Sequence, residues 1–511
     1  MSRRRFAEVG ALAGASALIV TAVGLAIWGS GGASTVPGAT PDAIEHDPAG
    51  ASFDLQTALD EAAPGSTVTV PAGEHQGSFV VRVPGVTVRG EAGALLDGME
   101  EGSVLTIDAP DVTVRDLSVH DSGSNPVGTP SAIFVGRGAD DVHVQDVVIE
   151  HSFFGITVQH ASGVVIERTS ITGSGIITGE LHAVDAGASP QAHDMGTMGA
   201  DESDRLRGDG IWLFEADDAV VRDCQIEHVR DGVYLTYGQG ATLERNHIVD
   251  SRYAVHDMFA HDATIVDNVM RANLTGMVLM YGDPVLAQGN VITESGSPST
   301  GFGVLIKDAG GVTLRANVIA DNRVGVHVED AGRTGGDPTL LQDNTIAMNQ
   351  IGLVLFPSAD TVVTGNGFVE NTTQVALGGQ GTTQAVWTVE GVGNYWSDYG
   401  GFDASGDGTG DLAYTQSGRV SQLLAEDPLL LALASGPAFR LLSAVEDKWA
   451  PTDPVVMDVA PQTSPGSPSL RGDPQGTRVP LWIPGAAAVL AGSWSLVRAR
   501  RPRRRMVATH G

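Results

Sequence analysis

The chain has 511 residues, a net charge of −31 and one cysteine, Cys224. The negative charge excludes a protein that binds nucleic acid through a basic surface, and 42% hydrophobic residues exclude an intrinsically disordered chain. A single cysteine excludes a disulfide framework, a cysteine-rich zinc site and an iron–sulfur cluster. The 66 glycines indicate a chain with many turns.

The N-terminal segment predicts an export or membrane signal. Three arginines at 3–5 precede an uncharged apolar run, 9–28, which has about the 20 residues needed to cross a bilayer. This run is longer than the apolar part of a usual signal peptide. The small residues near Ala33 also fit a cleavage site. We therefore predict that residues 1–33 form a signal peptide or a signal anchor.

The opposite end of the chain predicts a membrane helix. Residues 479–497 carry no charge, and six arginines follow between 498 and 505. We interpret 479–511 as a transmembrane helix with an arginine-rich cytoplasmic tail, the alternative being a buried C-terminal helix. Residues 33–479 carry 60 acidic and 21 basic side chains, a charge of −39. Because arginine clusters stay on the cytoplasmic side, the acidic body is predicted to be extracytoplasmic and tethered.

A short amphipathic helix is predicted near the start of the body, within a cap at 51–75. Apolar residues recur at helical spacing, Asp54 can cap the helix, and Pro64-Gly65 ends it. A strand at 67–70 follows directly. This opening resembles that of pectin-lyase-like right-handed β-helices, in which one helix plugs the end of the solenoid.

A repeat of the form Val-x-Ile/Leu-x-x-Asn-x-Ile runs through the body. Its Asn positions recur at near-constant intervals: Asn246, Asn268, Asn290, Asn317, Asn344 and Asn366. Towards the N-terminus the same position holds Cys224, Thr169, Val147 and Leu117. A second repeat, Gly followed by three strand-forming residues, lies between these positions, for example at Gly155, Gly210, Gly232, Gly276 and Gly303.

These repeats predict an all-β fold, a right-handed parallel β-helix over 76–390. Each unit supplies two or three short strands between turn residues. One unit cannot close a core, but units stacked about 4.8 Å apart can. The Asn column is then a ladder of stacked turn amides, and Cys224 in that column is a small buried residue, not a metal ligand.

One repeat is too long and predicts an inserted loop near 174–209. The interval from Thr169 to Cys224 is two and a half times the interval from Cys224 to Asn246, which is one ordinary repeat. Long loops in compact folds are often functional. This loop carries His193, Met195 and Met198, which are candidate ligands for a soft metal.

Three residues of adjoining repeats predict a second soft metal site. Alignment of the repeats places Met280 beside Met258 and turns His256 to the same outward face. Two thioethers and an imidazole suit Cu(I) and not Mg²⁺ or Ca²⁺. The alternative is a hydrophobic patch or a partner-binding surface made with flexible methionines. Asp257 points inward in this alignment, and burying an unpaired carboxylate costs free energy. A local bulge that turns this side chain outward is therefore the alternative.

The same face predicts an aromatic strip with charged borders. A stacked aromatic column with carboxylates and arginines beside it can hold a sugar chain, with an Asp as acid or base, or can dock a protein. The residues are Trp212, Tyr234, His256, Asp209, Arg230, Asp231, Arg252 and Tyr253. A polysaccharide lyase or epimerase is therefore an alternative. Ser–His–Asp spacing, a phosphate loop and HExxH do not occur.

The segment 391–478 is acidic and glycine-rich and continues as a linker. Asp403, Asp407 and Asp411 recur every four residues between glycines. An oxygen-rich flexible loop can bind calcium, although the spacing is not that of an EF-hand. The alternative is a solvated acidic turn.

Several segments together resemble the NosD family of extracytoplasmic β-helical maturation factors for nitrous oxide reductase. The resemblance covers roughly residues 54–414. Its most specific part is Trp-Ser-Asp-Tyr with the Asp/Gly run that follows. The segments are GIWL at Gly210, RDGVY at Arg230, RYAVHDMF at Arg252, GMVLMY at Gly276, GNYWSDY at Gly393 and DASGDGTGD at Asp403.

The resemblance implies a function that is not enzymatic. Members of this family work with an ABC transporter (an ATPase and a membrane permease) and a copper chaperone to assemble the copper–sulfur cluster of the reductase. It also implies that His256, Met258 and Met280 lie near a copper or partner site. We predict a membrane-tethered accessory protein that presents copper or a sulfur species to nitrous oxide reductase.

Overall fold

One short helix precedes 39 strands in the part of the chain that the computed structural model describes, namely residues 53–124, 128–173, 207–297, 300–329, 337–379, 383–416 and 454–465. The two apolar runs predicted to meet the membrane lie outside these ranges. Within the described residues, no helix is both long enough and apolar enough to cross a membrane.

The helix α1 (Leu55–Asp60) begins where the sequence predicts it. Asp54 is its N-cap, and the carboxylate accepts a hydrogen bond from the backbone N–H of Thr57 at 3.1 Å. Leu55 and Leu59 are 2% and 1% exposed and pack into the core. The predicted helix and its capping residue are therefore confirmed.

The strands form three long parallel sheets, so the all-β prediction is confirmed for the described residues. The first sheet has 12 strands. In order they are β1 (Thr67–Val70), β4 (Thr87–Gly90), β7 (Thr113–Arg115), β10 (His143–Gln145), β13 (Val165–Glu167), β16 (Val220–Arg222), β19 (Thr242–Glu244), β22 (Ala263–Val266), β25 (Val285–Gln288), β28 (Val312–Arg315), β31 (Thr339–Gln342) and β34 (Thr361–Thr364).

The second sheet has 13 strands. They are β2 (Gly73–Gln76), β5 (Ala94–Asp97), β8 (Ser118–His120), β11 (Val148–Ser152), β14 (Ser170–Gly173), β17 (Gln225–Glu227), β20 (His247–Val249), β23 (Val269–Arg271), β26 (Val291–Thr293), β29 (Val318–Ala320), β32 (Thr345–Ala347), β35 (Gly367–Val369) and β37 (Tyr395–Trp396).

The third sheet has 12 strands and carries the candidate site. They are β3 (Phe79–Val81), β6 (Leu105–Ile107), β9 (Ser131–Val135), β12 (Phe154–Gln159), β15 (Ile211–Phe214), β18 (Asp231–Thr236), β21 (Tyr253–Met258), β24 (Thr275–Met280), β27 (Val304–Lys307), β30 (Val324–Glu329), β33 (Ile351–Leu355) and β36 (Thr373–Leu377). Consecutive strands of the chain lie in different sheets, which is the topology of a parallel β-helix.

The alternation of side chains explains the core. In the first sheet, for example, Val114, Val144 and Ile166 occupy equivalent positions and are all 0% exposed. Turns between the sheets use Asp as well as Gly in the left-handed region, as at Asp223 (φ 55°) and Asp267 (φ 54°). The chain therefore coils around a continuous apolar centre.

The predicted Asn ladder is present. In each step a backbone N–H and a side-chain Nδ2 donate to the Oδ1 of the Asn in the next coil, as from Asn290 to Asn317 at 2.9 and 3.0 Å. Cys224 occupies the predicted place: its N–H donates to Asn246 Oδ1, and burial raises the pKa of its thiol to about 12. The ladder ends on Asp458, which accepts from the N–H of Asn394 at 2.6 Å.

A second Asn ladder was not predicted. Asn273, Asn322, Asn349 and Asn371 each lie five residues after a member of the first ladder. Asn322, Asn349 and Asn371 stack in the same way, as from Asn322 to Asn349 at 2.9 Å. Asn273 accepts from the N–H of Ser251, and Ser295 holds the equivalent position between Asn273 and Asn322. The constant offset of five residues is the sequence signal that identifies this ladder.

The C-terminal end of the helix is closed by an aromatic stack and an antiparallel pair, β38 (Tyr414–Gln416) with β39 (Val456–Asp458). Trp396 lies between Phe368 and Tyr414, with ring centroids 4.5 and 4.3 Å apart. Its indole N–H donates to Asp458 at 3.0 Å. The family-like Trp-Ser-Asp-Tyr segment therefore has a structural role at this end.

Both exposed edges of the third sheet are capped by a glutamine side chain. The amide of Gln56 donates to the carbonyl of Val80 and accepts from its N–H, at 3.0 and 2.8 Å. At the other end Gln416 makes the same pair of bonds with Val375. Each amide takes the place of a further strand at an edge that would otherwise be open to pairing.

Candidate functional site

The register of the third sheet agrees with the alignment of the repeats. Trp212 pairs with Tyr234 and Tyr234 with His256, while Met258 pairs with Met280. Two outward columns therefore run side by side across β15, β18, β21 and β24. The first is aromatic from β15 to β21 and continues with Val278 in β24, and the second contains the two thioethers in β21 and β24.

The aromatic column holds the imidazole of His256 in place. The rings of Trp212 and Tyr234 stack with centroids 6.2 Å apart, and those of Tyr234 and His256 with centroids 4.4 Å apart. Tyr253 meets His256 edge to face at 5.2 Å. The stack begins one coil earlier than predicted, with Phe154 at 5.9 Å from Trp212.

One nitrogen of His256 is committed to a carboxylate. Its Nδ1 lies 2.9 Å from Asp231 Oδ2. Because Asp231 accepts hydrogen bonds, we assign the proton of neutral His256 to Nδ1, which leaves a lone pair on Nε2. Within the described residues, Nε2 has no hydrogen-bond partner. His256 is 9% exposed, so this nitrogen lies in a largely enclosed position.

Asp231 belongs to a buried ion-pair ladder. Arg252 binds it through Nε and Nη2 at 2.9 and 2.7 Å, and Arg230 binds Asp209 in the same bidentate way at 2.8 and 2.6 Å. Burial acts to raise the pKa of Asp231, but Arg252 and His256 together outweigh burial and hold that pKa far below its usual value. Asp231 is therefore a fixed anion.

The ion-pair ladder decides how accessible the carboxylates beside the predicted aromatic strip are. Asp209 and Asp231 are both 0% exposed. In this arrangement neither carboxylate is open to solvent, and the polysaccharide lyase or epimerase alternative stays a prediction. The physical reason is that the two arginines fold over the carboxylates, a pairing between coils that the one-dimensional alignment does not show.

Met258 and Met280 lie half-buried next to this assembly. Tyr234 Oη approaches Met258 Sδ at 3.6 Å. A neutral imidazole nitrogen and two thioethers on adjoining strands are soft donors, which fit Cu(I) by their chemistry. The Asp231–His256 pair provides the carboxylate that commonly orients a metal-binding histidine.

Asp257 points into the core, as the alignment predicted, and the register runs through it without a bulge. It is 0% exposed. Oδ1 accepts from the N–H of Ala260 at 3.2 Å, while Oδ2 has no partner within the described residues. Burial raises the pKa of Asp257 to about 7.

The thioether column continues into charged residues that the sequence reasoning missed. Met280 pairs with Lys307, whose Nζ lies 2.8 Å from Glu329. A hydrogen bond from His327, with Lys307, lowers the pKa of Glu329 to about 2. Lys307 and Glu329 follow Met280 by one and two repeats, and this spacing was the available signal.

A further aromatic ladder beside the thioethers was also missed. Tyr237, Phe259 and Tyr281 follow the ends of β18, β21 and β24 and stack with centroids 5.1 and 4.7 Å apart. Tyr237 is 49% exposed. Their regular spacing, one repeat from each ring to the next, indicates this ladder in the sequence.

Two further metal sites were predicted, one in the inserted loop and one in the Asp/Gly segment. His193, Met195 and Met198 lie outside the described residues. In the Asp/Gly segment, Asp403 accepts from the N–H groups of Gly406 and Gly408 at 2.6 and 2.9 Å.

The aspartates of this segment serve its own turns. The bond from the Gly408 N–H lowers the pKa of Asp403. Asp407 and Asp411 likewise accept from backbone N–H groups of the same loop, at 2.8 and 2.6 Å. This arrangement supports the acidic turn, and calcium binding stays a prediction.

Comparisons with known proteins agree with this architecture. The family model described as "Periplasmic copper-binding protein (NosD)" matches residues 192–401, and that of the right-handed β-helix region matches residues 103–256. A "Probable ABC transporter binding protein NosD" of Stutzerimonas stutzeri is 31% identical over 388 residues, which are 74% of this chain and 82% of that protein. The chain belongs to the NosD family. The predicted resemblance and the right-handed β-helix are confirmed.

Two further matches place this NosD-family chain more broadly. The protein of the same name in Pseudomonas aeruginosa is 32% identical over 391 residues, 74% of this chain and 83% of that one. Among solved structures, the A-module of the mannuronan C-5 epimerase AlgE6 of Azotobacter vinelandii has a TM-score of 0.50 at 17% identity, covering 65% of this chain and 92% of the module. At that identity the likeness shows the fold alone.

Proposed function

We propose that this chain is an extracytoplasmic accessory protein in the maturation of the copper cluster of nitrous oxide reductase. The observation that carries the proposal is the placement of the His256 imidazole and the Met258 and Met280 thioethers on adjoining strands. Membership in a family described as periplasmic and copper-binding supports it. The protein acts by binding and transfer, not by catalysis.

Copper is the cargo in this proposal. Nε2 of His256 and the two thioethers bind Cu(I), and the exchange of few, soft, neutral ligands allows its release. Asp231 holds the imidazole in one tautomer, and Arg252 holds Asp231. The chain thereby keeps a partly enclosed site ready without a charged ligand in direct contact with the ion.

The proposed partners are an ABC transporter (ATPase and permease), a copper chaperone and nitrous oxide reductase. The relatives' name, "Probable ABC transporter binding protein", supports the first. The arginine clusters at both ends and the acidic body between them support an extracytoplasmic location of the body. Residues 479–511, and 1–33 where it is not cleaved, tether the body to the outer face of the cytoplasmic membrane.

The proposal is tested by anaerobic Cu(I) titration against a chromophoric chelator. The wild-type protein is expected to bind one Cu(I) at this site, and Met258→Ala with Met280→Ala to weaken that binding at least about 100-fold, because two of three soft ligands are lost. Met348→Ala with Met457→Ala removes two exposed methionines elsewhere and is the matched control.

Cells provide the second half of this test. Reductase purified from a strain with the double variant at 258 and 280 is expected to lack most of its cluster copper. Unchanged Cu(I) affinity together with unchanged cluster content would overturn the site. Turnover of uronate polymers by the purified protein would favour the lyase or epimerase function instead.

A further inference from the structure

A second group of metal-binding side chains lies on the second sheet, away from the methionines. Asp97 ends β5, His120 ends β8 of the next coil, and Asp121 follows directly. One ligand atom from each lies within 4.8 Å of the other two. His120 Nδ1 is 2.6 Å from Asp121 Oδ2 and 3.8 Å from Asp97 Oδ1.

The geometry suits a small divalent ion with little movement. Zinc binds imidazole nitrogen and carboxylate oxygen at about 2.0–2.2 Å, so two ligands of a tetrahedral site lie about 3.3–3.5 Å apart. The observed separations of 2.6 and 3.8 Å lie on either side of that value. Small side-chain rotations, opening one pair and closing the other, therefore create the site.

The charge of the group also favours a cation. Among the described residues, no lysine or arginine forms an ion pair with Asp97 or Asp121, and His120 is the one ion-pair partner of both. The other contacts of Asp97 are neutral, an N–H donated by Met99 to Oδ1 at 2.8 Å and the amide of Gln76 at 3.5 Å from Oδ2. In the adjoining strand Glu150 pairs in register with His120 and adds a third carboxylate nearby. The side chains of Asp97 and His120 are 13% and 23% exposed, which limits the screening of this repulsion by water.

A similar pair shows what the third ligand adds. His160 Nδ1 lies 2.7 Å from Glu215, and its side chain is 23% exposed, the same as that of His120. Within the described residues, however, no second acidic side chain completes a group of three there. His160 and Glu215 form an ordinary hydrogen-bonded pair, whereas His120 lies between two carboxylates from different coils.

We propose that Asp97, His120 and Asp121 form a binding site for a divalent transition-metal ion of the zinc class. Its one nitrogen and two oxygen donors suit a borderline divalent ion, whereas the imidazole and thioethers of the third sheet suit Cu(I). The site is independent of the proposed copper site and of the proposed function.

The test is zinc titration of the tag-free, full-length protein by calorimetry, with Co²⁺ as a spectroscopic probe. The wild-type protein is expected to bind one more equivalent of Zn²⁺ than His120→Ala, and its Co²⁺ form to show visible bands that His120→Ala lacks. His160→Ala is the matched control and keeps both signals. Met258→Ala with Met280→Ala also keeps both, which separates this site from the copper site.

Two results would overturn the proposal. One is equal zinc stoichiometry and equal Co²⁺ bands in the wild-type protein and His120→Ala. The other is loss of the same equivalent in His160→Ala, which would show general binding to surface histidines. If His120→Ala has an altered circular dichroism spectrum, Asp121→Asn decides, because this more exposed side chain lies after the strand and its loss is expected to weaken zinc binding more than about tenfold.

Discussion

Three aspartates of this chain differ only in their surroundings. Asp231 is buried between an arginine and a histidine, and its pKa is held far below the usual value. Asp257 is buried without a charged partner, and burial raises its pKa to about 7. Asp403 is half-buried and accepts hydrogen bonds from backbone N–H groups of its own turn. The same residue type thus positions a histidine at 231, destabilises the fold when ionised at 257, and stabilises a turn at 403.

The buried carboxylate of Asp257 predicts a free energy of unfolding that depends on pH. The raised pKa means that the folded state holds the proton more tightly than the unfolded state, so the free energy of unfolding falls as pH rises from about 4 through about 7. Asp257→Asn lacks this loss. With both proteins free of metal, Asp257→Asn is expected to have the same free energy of unfolding as the wild-type protein near pH 4. At pH 8 the variant is expected to be more stable, by at most about 4 kcal/mol.

Urea unfolding at several pH values, with a chelator present, measures the difference at Asp257. A constant difference between the two proteins from pH 4 to pH 8 would contradict a raised pKa at this position. Asp403→Asn serves as the control, because the pKa of this carboxylate is lowered and it therefore causes no loss of stability as the pH rises from 4 to 8.

At the scale of elements, the sheets depend on side chains as much as on strands. Because the strands are short, many backbone amides of the turns lie inside the β-helix, which forms a rod of stacked coils. The first Asn ladder satisfies such amides in each coil from Cys224 to Asn394 and ends on Asp458, and the second adds further bonds from Asn322 to Asn371. A buried amide that loses its partner costs about 1–3 kcal/mol, so the ladders support the coils on both sides of each step.

The Asn ladder predicts a large effect of a small substitution. Asn344 donates to Leu314 and Asn366 and accepts from Asn317. Asn344→Ala is expected to lower the free energy of unfolding by about 2–4 kcal/mol, because several buried polar groups lose their partner at once. Thr345 is the next residue along the chain, and its side chain is half-exposed. Thr345→Ala is therefore expected to change the free energy of unfolding by less than about 1 kcal/mol.

The measurement at Asn344 is the midpoint of urea unfolding, followed by tryptophan fluorescence and by circular dichroism. Similar midpoints for the Asn344→Ala and Thr345→Ala proteins would mean that water replaces the missing amide. The ladder would then contribute shape but little stability.

At the scale of the whole molecule, charge and fold serve different ends. The rod owes its stability to the apolar centre and the ladders, while the −39 charge between the arginine-marked ends concerns compartment and solubility. The two proposed metal sites lie on different sheets and in different coils. A rod of stacked coils can carry several such sites because each needs only adjoining coils.

The predicted tether at 479–511 is testable by truncation. The full-length protein is expected in the membrane fraction after a wash with about 1 M salt, because salt releases proteins held by surface charge but not a spanning helix. A chain that ends at Arg478 is expected to release its body to the extracytoplasmic soluble fraction when 1–33 is cleaved. Cell fractionation and immunoblotting measure this, and a full-length protein found in the soluble fraction would contradict the tether.

Much of the fold could be predicted because it follows from a short repeat in the sequence. The near-constant repeat length, alternation within strands and Asn at one position specify parallel coils, and they even align Met258 with Met280 correctly. The capping helix followed from Asp54 and its apolar spacing in the same way. The sequence alone thus determined the coil, the Asn column and the family.

Contacts between coils were decided only in three dimensions. Arg252 closes over Asp231, and His120 meets Asp97, each across one coil and through side chains whose direction no repeat specifies. The carboxylates that border the predicted aromatic strip are therefore buried in an ion-pair ladder. Local patterns determine which residues share a face, but burial and charge pairing depend on side-chain packing between coils, and this packing exists only in the assembled rod.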